Sequence, residues 1–246
     1  AQADRTWAYG HIVVDEAQEL SPMQWRLLMR RCPMKSFTVV GDIAQASSAS
    51  AASSWSQALE PFVGERFTLE ELTINYRTPA QIADAAVAVA REAGYEVSAP
   101  RAVREGQWAP FIHQVSQEHV VAETVQRVSD EVALGDGALI GVVCSPAQYT
   151  QVARAVMETH ADRTGTAEDA VENQVLVLTP WEAKGLEFDV VIIVEPQQLL
   201  DDAQGAVGDL YVSMTRPTQR LHLVGTSMPA GLDAEEPDLP SRKVDL

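Results

Sequence analysis

The sequence predicts an α/β fold in which parallel sheets are covered by helices on both faces. Three observations carry this. The strand-like runs are almost continuously Val, Ile and Leu, as in QVLVLT and FDVVIIVEP, the pattern of strands buried on both sides. Amphipathic stretches with apolar residues three and four apart alternate with those runs from end to end. The 246 residues, 46% hydrophobic and 22% charged, have the composition of an ordinary globular chain long enough for one or two cores.

Taken in order, HIVVD (His11 to Asp15) reads as a buried strand. SPMQWRLLMRR then opens a helix, with Ser21 as its cap and Pro22 at the first position, where an N–H would have no partner anyway. FTVVGD (Phe37 to Asp42) is the next strand, and ASSASAASSW, small and polar, is a loop. LEELTINYR supplies a strand or turn. Thr78-Pro79 starts a helix ending near Gly94, with Ile82, Ala86, Val89 and Ala93 on one face. FIHQV leads into a helix with Val121, Val125, Val128 and Val132 on one face, followed by the strand ALIGVVC. A helix from about Pro146, the strands QVLVLT and FDVVIIVEP, a helix over Gly208 to Thr215 and the strand RLHLVGT complete the alternation. From about Met228 the chain is acidic, Pro-containing and aperiodic, which predicts a tail over 229–246. There is no internal repeat or heptad run. A boundary near Arg66, after the small-residue loop, divides the rest into 1–66 and 67–228.

Charge narrows the function. The formal net charge is −17, with fifteen Arg and three Lys against 35 acids. Proteins that hold nucleic acid usually present a basic surface, because neutralising phosphates drives binding. This chain is therefore expected to bind DNA or RNA weakly by itself, which argues against a simple DNA-binding module. No apolar run reaches the ~20 residues of a membrane helix, and the N-terminus lacks a basic segment followed by an apolar one. A cytoplasmic protein without a membrane partner is expected. Cys32 and Cys144 lie far apart and read as buried, reduced thiols. His113, His119 and His160 have no acid or metal partner at ligand spacing, Trp25 reads as packing, and Met23, Met29 and Met34 as core fillers.

Five fragments carry chemistry. VVDEAQ at 13–18 ends a hydrophobic strand in Asp15 and Glu16, at the carboxyl edge where α/β proteins bind ligands. In nucleotide hydrolases the first such acid holds Mg2+ through water and the second orients the attacking water. The competing reading is a strand end with a solvated acidic turn. VVGDIAQ at 39–45 is again a strand closed by a polar turn, with Asp42 a candidate cofactor contact and Gln45 placed to reach a phosphate. INYRTP at 74–79 offers Tyr76 as a stacking face and Arg77 as a phosphate fork. TPWEAKGLEFDVVIIVE at 179–195 sits between two strands, and LYVSMTRPTQRLHLV at 210–224 places Arg216 at a helix end before a strand.

Together and in this order, from about His11 to Gly225, these fragments are similar to the motifs of superfamily 1 helicases of the UvrD/Rep type. The resemblance implies RecA-like parallel sheets in two lobes that clamp ATP between them, here the later part of a first lobe and a whole second lobe. It implies ATP and Mg2+ as cofactors, with Asp15 the Mg2+ ligand and Glu16 the catalytic base. Gln45 would sense the γ-phosphate, Tyr76 would stack on the base, and Arg77 would contact the γ-phosphate. Glu187 would lie near the ribose, with Lys184 and Gly185 in the supporting loop, and Arg216 would be the arginine finger. Thr179, Trp181 and Trp55 are candidate nucleic-acid contacts, with buried packing the competing reading for both tryptophans.

A phosphate-binding loop needs Gly-Lys-Ser/Thr, whose backbone N–H groups cradle the phosphates while the Lys neutralises them. Lys35, Lys184 and Lys243 follow Met34, Ala183 and Arg242, so the sequence contains no Gly-Lys pair. In the helicases that loop precedes the Asp-Glu strand, so it is expected upstream, in a parent chain without which this piece does not hydrolyse ATP. About a hundred residues separate Arg77 from Lys184, too few for the extra domain of the unwinding enzymes. GDIAQASSASAASSW departs from their aromatic-rich DNA-contacting segment, and Trp181 stands where they commonly place His. These departures, with VVDEAQELSPMQWRLLMRRCP and LTPWEAKGLEFDVV, look more like the HelD family of helicase-IV-like RNA polymerase factors. That resemblance implies a partner in core RNA polymerase, released from nucleic acid by nucleotide turnover, and an acidic surface suits such a partner. A UvrD-type 3′–5′ DNA helicase or translocase is the alternative with the same chemistry, and a non-catalytic docking module the alternative without it.

Overall fold

The computed structural model describes residues 7–43, 54–95, 100–166, 173–201 and 206–232. Gln45, most of the small-residue loop and most of the expected tail lie outside these residues. The chain divides into two compact units, Ala1–Glu71 and Leu72–Leu246, against an expected boundary near Arg66.

In the first unit β1 (Ile12–Val14) and β2 (Phe37–Val39) pair in parallel, Ile12 opposite Phe37 and Val14 opposite Val39. A parallel pair needs a crossover, and α1 (Pro22–Arg31) supplies it. Its start is set by a capping box: Ser21 Oγ accepts from the Gln24 N–H, while Gln24 Oε1 accepts from the Ser21 N–H at 2.8 Å. Trp25 turns inward and joins Val14, Ala58 and Leu59 in the core. The second helix of this unit, α2 (Trp55–Val63), contains Pro61 and is capped by Ser54, whose Oγ accepts from the Gln57 N–H at 3.1 Å. Beyond the regular strands the ladder continues: the Val40 N–H bonds Val14 O at 2.8 Å and the Ala17 N–H bonds Val40 O at 3.0 Å. The turns after the two strands are thereby stitched together.

In the second unit a short parallel pair, β3 (Ile74–Asn75) with β4 (Arg101–Ala102), flanks α3 (Ala80–Glu92). There follow β5 (Phe111–Gln114), α4 (Val120–Leu134), β6 (Ile140–Val143), α5 (Pro146–Thr159), β7 (Thr164–Gly165), β8 (Val175–Leu178), β9 (Phe188–Val194), α6 (Pro196–Asp201), α7 (Ala206–Met214) and β10 (Pro217–Gly225). Strands β5 to β10 form one six-stranded sheet in the order β5-β10-β9-β6-β8-β7, parallel throughout. This is the α/β architecture the apolar runs predict. The β9 side chains are buried except for Asp189, which is partly exposed, so its sequence FDVVIIV shows no polar alternation. Ile140, Val142, Val177, Ile192 and Val224 pack with Val128 of α4 on one face.

Two helix faces differ from the expected ones. On α4 the buried residues are Val120, Thr124, Val128 and Glu131, and Val121, Val125 and Val132 sit at the margin. The observed face carries Glu131 inward, where it pairs with Arg220 and His222 of β10, while Val125 and Val132 still pack against the edge of the core. On α3, Ile82, Ala86 and Val89 are buried as expected, but Ala90 replaces Ala93, which is exposed as the C-cap. Among the described residues no helix is long and apolar enough to cross a membrane.

Candidate functional site

In the first unit Asp15 and Glu16 follow β1 at the carboxyl edge of the parallel pair, and both are exposed. Glu16 lies in the left-handed region, φ 49° and ψ 39°, a conformation that costs a residue with a side chain about 1 kcal/mol or more. Its N–H donates to Asp15 Oδ1 at 2.9 Å. The residue that holds its carboxylate is Gln18, buried at 3% exposure on the following single turn of helix. Gln18 Nε2 donates to Glu16 Oε2 at 2.6 Å, and Gln18 Oε1 accepts from the Asp42 N–H at 3.1 Å. Asp42 is therefore joined to Glu16 through a side chain that sequence reasoning passed over, though it stands in the same six-residue fragment. Trp55 is half-buried against the core of this unit and leans over Gly41.

Mg2+ prefers six oxygen ligands, of which proteins commonly give one or two carboxylates while phosphates and water supply the rest. Among the described residues no cluster of three or more metal-ligating side chains occurs. Two exposed carboxylates at a strand end fit an ion that arrives with a polyphosphate, and do not make a cage for a free one.

In the second unit Tyr76 and Arg77 occupy a turn shaped by Asn75, whose Oδ1 accepts from the N–H groups of Arg77 at 2.9 Å and Thr78 at 3.2 Å. Arg104 secures the turn by donating to Arg77 O at 2.9 Å. Tyr76 is 71% exposed. The Arg77 guanidinium pairs with the Glu187 carboxylate, both about half exposed. Such a pair contributes about 0–1 kcal/mol and is readily exchanged for another anion. Buried Thr78 donates from Oγ1 to Thr215 O at 3.1 Å, across 137 residues of sequence. The Phe188 N–H bonds Arg216 O at 3.3 Å. Three distant fragments thus meet at one edge of this unit, where β9 and β10 begin. Arg216 itself is buried, and its Nε donates to Val212 O at 3.1 Å, the carbonyl one turn back in α7.

The segment 179–187 leaves the carboxyl end of β8 and enters the amino end of β9, so it crosses from one sheet edge to the other. Thr179 starts it by exchanging bonds with Glu182: its N–H and its Oγ1 each lie 2.8 Å from Glu182 Oε2. Trp181 is 61% exposed, and Lys184 Nζ stands 5.1 Å from its ring centre, a cation–π approach. The same ammonium lies 3.5 Å from Asp209 of α7. Gly185 turns the chain at φ +73°, which glycine adopts without strain.

A second polar group, unseen in the sequence, lies under the sheet. Arg220 Nε lies within 2.9 Å of Glu131 and its Nη2 3.0 Å from Asp136, while His222 Nε2 lies 2.8 Å from Glu131. His113 Nε2 meets His222 Nδ1 at 3.1 Å. Burial, with His222 and Arg127 nearby, holds the His113 ring down to a pKa of about 3. Its 3.5 Å approach to Glu123 is accordingly that of a neutral ring at pH 7, not an ion pair. Burial also lowers His222, against the pull of Glu131.

Residues 3–225 match the model of the viral superfamily 1 RNA helicase core domain. No curated protein matches the chain. Among solved structures, the chain is similar to the C-terminal domain of a possible DNA helicase from Lactobacillus plantarum WCFS1, at 22% identity and TM-score 0.49, over 65% of this chain and 95% of that one. It is also similar to the PRRSV helicase, at 14% identity and TM-score 0.46, over 87% of this chain but only 34% of that one. With a family model spanning nearly its whole length, the chain belongs to the superfamily 1 helicase core family.

Proposed function

We propose that this chain is the motor region of an ATP-driven nucleic-acid motor. Asp15 and Glu16 serve Mg2+ binding and water activation, and Arg77 neutralises phosphate charge; the same role for Arg216 requires its buried side chain to turn out from Val212 O. The observation that carries the reading is the meeting of Arg77, Glu187 and the Thr215–Arg216 turn at one edge of the second unit. A guanidinium whose carboxylate partner is solvent-exposed is available to a phosphate, because the exchange costs little. Bound Mg2+ supplies charge neutralisation at the phosphates. Glu16 orients and deprotonates water, and exposed Tyr76 offers a face to a base. With no Gly-Lys pair in its sequence, the 246-residue chain turns over no ATP by itself in this reading.

The finer reading is a HelD-like factor that acts on core RNA polymerase. It is supported by the wording of the fragments at 13–33 and 178–191, the short spacing between Arg77 and Lys184, and the charge of −17. A translocase acting on DNA or RNA is the alternative. Steady-state Mg2+-dependent ATP hydrolysis by the full-length protein separates them, measured alone and with single-stranded DNA, RNA or core polymerase. Glu16→Gln is expected to lower turnover by about 100-fold or more, and Arg77→Ala by about 10²–10³-fold. Turnover that survives Glu16→Gln overturns the motor reading. Stimulation by nucleic acid alone selects the translocase, and a response to polymerase alone selects the polymerase factor.

A further inference from the structure

Resting on that reading of Glu16, we infer that Gln18 is the positioning residue for the water-activating carboxylate and ties its placement to the turn that follows β2. The geometry leaves the Gln18 amide one orientation. The Asp42 backbone N–H can only donate, so Oε1 must face it, and the amide nitrogen must then face Glu16. A neutral side chain of this length with a donor on one arm and an acceptor on the other is what both neighbours require. Leucine offers neither arm, and glutamate sets a like charge against Glu16.

The clasp is built rather than incidental. Glu16 is exposed and without it would sample several rotamers, whereas Gln18 is buried and holds two hydrogen bonds. Room for the amide depends on Gly41: a Cβ there would stand 2.3 Å from Gln18 Oε1, 3.0 Å from the Trp55 ring and 3.1 Å from the Ala17 nitrogen. The Ala17 N–H to Val40 O bond, 3.0 Å, fixes the backbone on which Gln18 is carried. Displacing the Gly41–Asp42 turn therefore withdraws the acceptor's partner, frees the amide and lets the Glu16 carboxylate swing. Glu16 would be a catalytic residue and Gln18 acts through it.

The test uses ATP hydrolysis by the full-length protein. Gln18→Leu is expected to lower kcat by about 10–100-fold, as loss of a bond to a charged group does, with KM for ATP changed less than about two-fold. Gly41→Ala is expected to match it, and the double variant to lose nothing further, because both remove one interaction. In a Glu16→Gln background Gln18→Leu is expected to lower the residual turnover no further, whereas a purely structural loss would lower it in either background. Gln18→Glu, which keeps the size of the side chain but offers Glu16 no donor, is expected to be as impaired as Gln18→Leu. Faster hydrogen exchange at the Asp42 amide in Gln18→Leu reports the broken clasp independently of turnover. An unchanged kcat in Gln18→Leu, or a further loss of the same size in the Glu16→Gln background, overturns the inference while Glu16→Gln itself is impaired. Normal turnover in Glu16→Gln removes the base itself, and the inference with it. Should Gln18→Leu fail to fold, kcat of Gln18→Glu decides alone.

Discussion

Glu131 is 1% exposed and accepts from Arg220 and His222, so its charge is taken out of water and returned by two donors. Removing one partner of such a group leaves the other charge buried, which costs about 3–5 kcal/mol. Asp136 stays within 3.0 Å of Arg220 and softens the loss. Glu131→Leu should therefore destabilise the protein by about 3 kcal/mol in chemical denaturation. A change below about 1 kcal/mol would mean that Asp136 compensates fully. Cys144 makes a simpler case. Burial, with Glu182 adding to it, pushes its thiol up to about 12, so no thiolate is available at neutral pH. Native protein should leave Cys144 unmodified by alkylating reagents, and rapid modification would show that its strand opens locally.

Helix ends and turns set where the chemistry sits. The α1 cap satisfies two orphan donors at once, so Ser21→Ala should cost about 1 kcal/mol, with a lower thermal midpoint as the readout. The segment 179–187 depends on the left-handed turn at Gly185. Gly185→Ala should cost about 1 kcal/mol or more there, read as a lower thermal midpoint. Much of this was legible. Ser21-Pro22 marks a helix start because cap chemistry is local, and the carboxyl-edge position of Asp15 and Glu16 follows from an apolar run that ends in two acids, although the strand itself is only partly buried, with Val13 exposed. α2 was not, since Pro61 inside it reads as a breaker and its stability comes from burying Ala58 and Leu59 against the core.

At the scale of the molecule, pH acts through buried histidines. His113 is neutral in the folded protein down to about pH 3, whereas an unfolded histidine takes a proton near pH 6.5. Below that value the unfolded state binds the additional proton, so stability is present in full above about pH 6.5 and declines as pH falls toward 3. His222, lowered in the same direction, adds to the slope. The denaturation midpoint should therefore drop between pH 7 and pH 5, before most carboxylates titrate. His113→Phe should flatten that drop, and an unchanged slope would show that the pair does not govern it.

The sequence by itself determined the α/β class, the strand runs and the acids and arginines that end them. Those are properties of short stretches: apolar continuity for strands buried on both faces, and polar residues where a strand leaves the sheet. The tertiary structure decided which distant residues share a hydrogen bond. Gln18 reads as an ordinary turn residue until Asp42, brought beside it by the pairing of β1 with β2, gives its amide a second partner. The face of α4 followed the same logic, since the valine spacing names one stripe while Arg220 and His222 require the stripe that carries Glu131. Periodicity is local and readable. Satisfaction of a buried charge is a non-local condition, and only the folded chain states it.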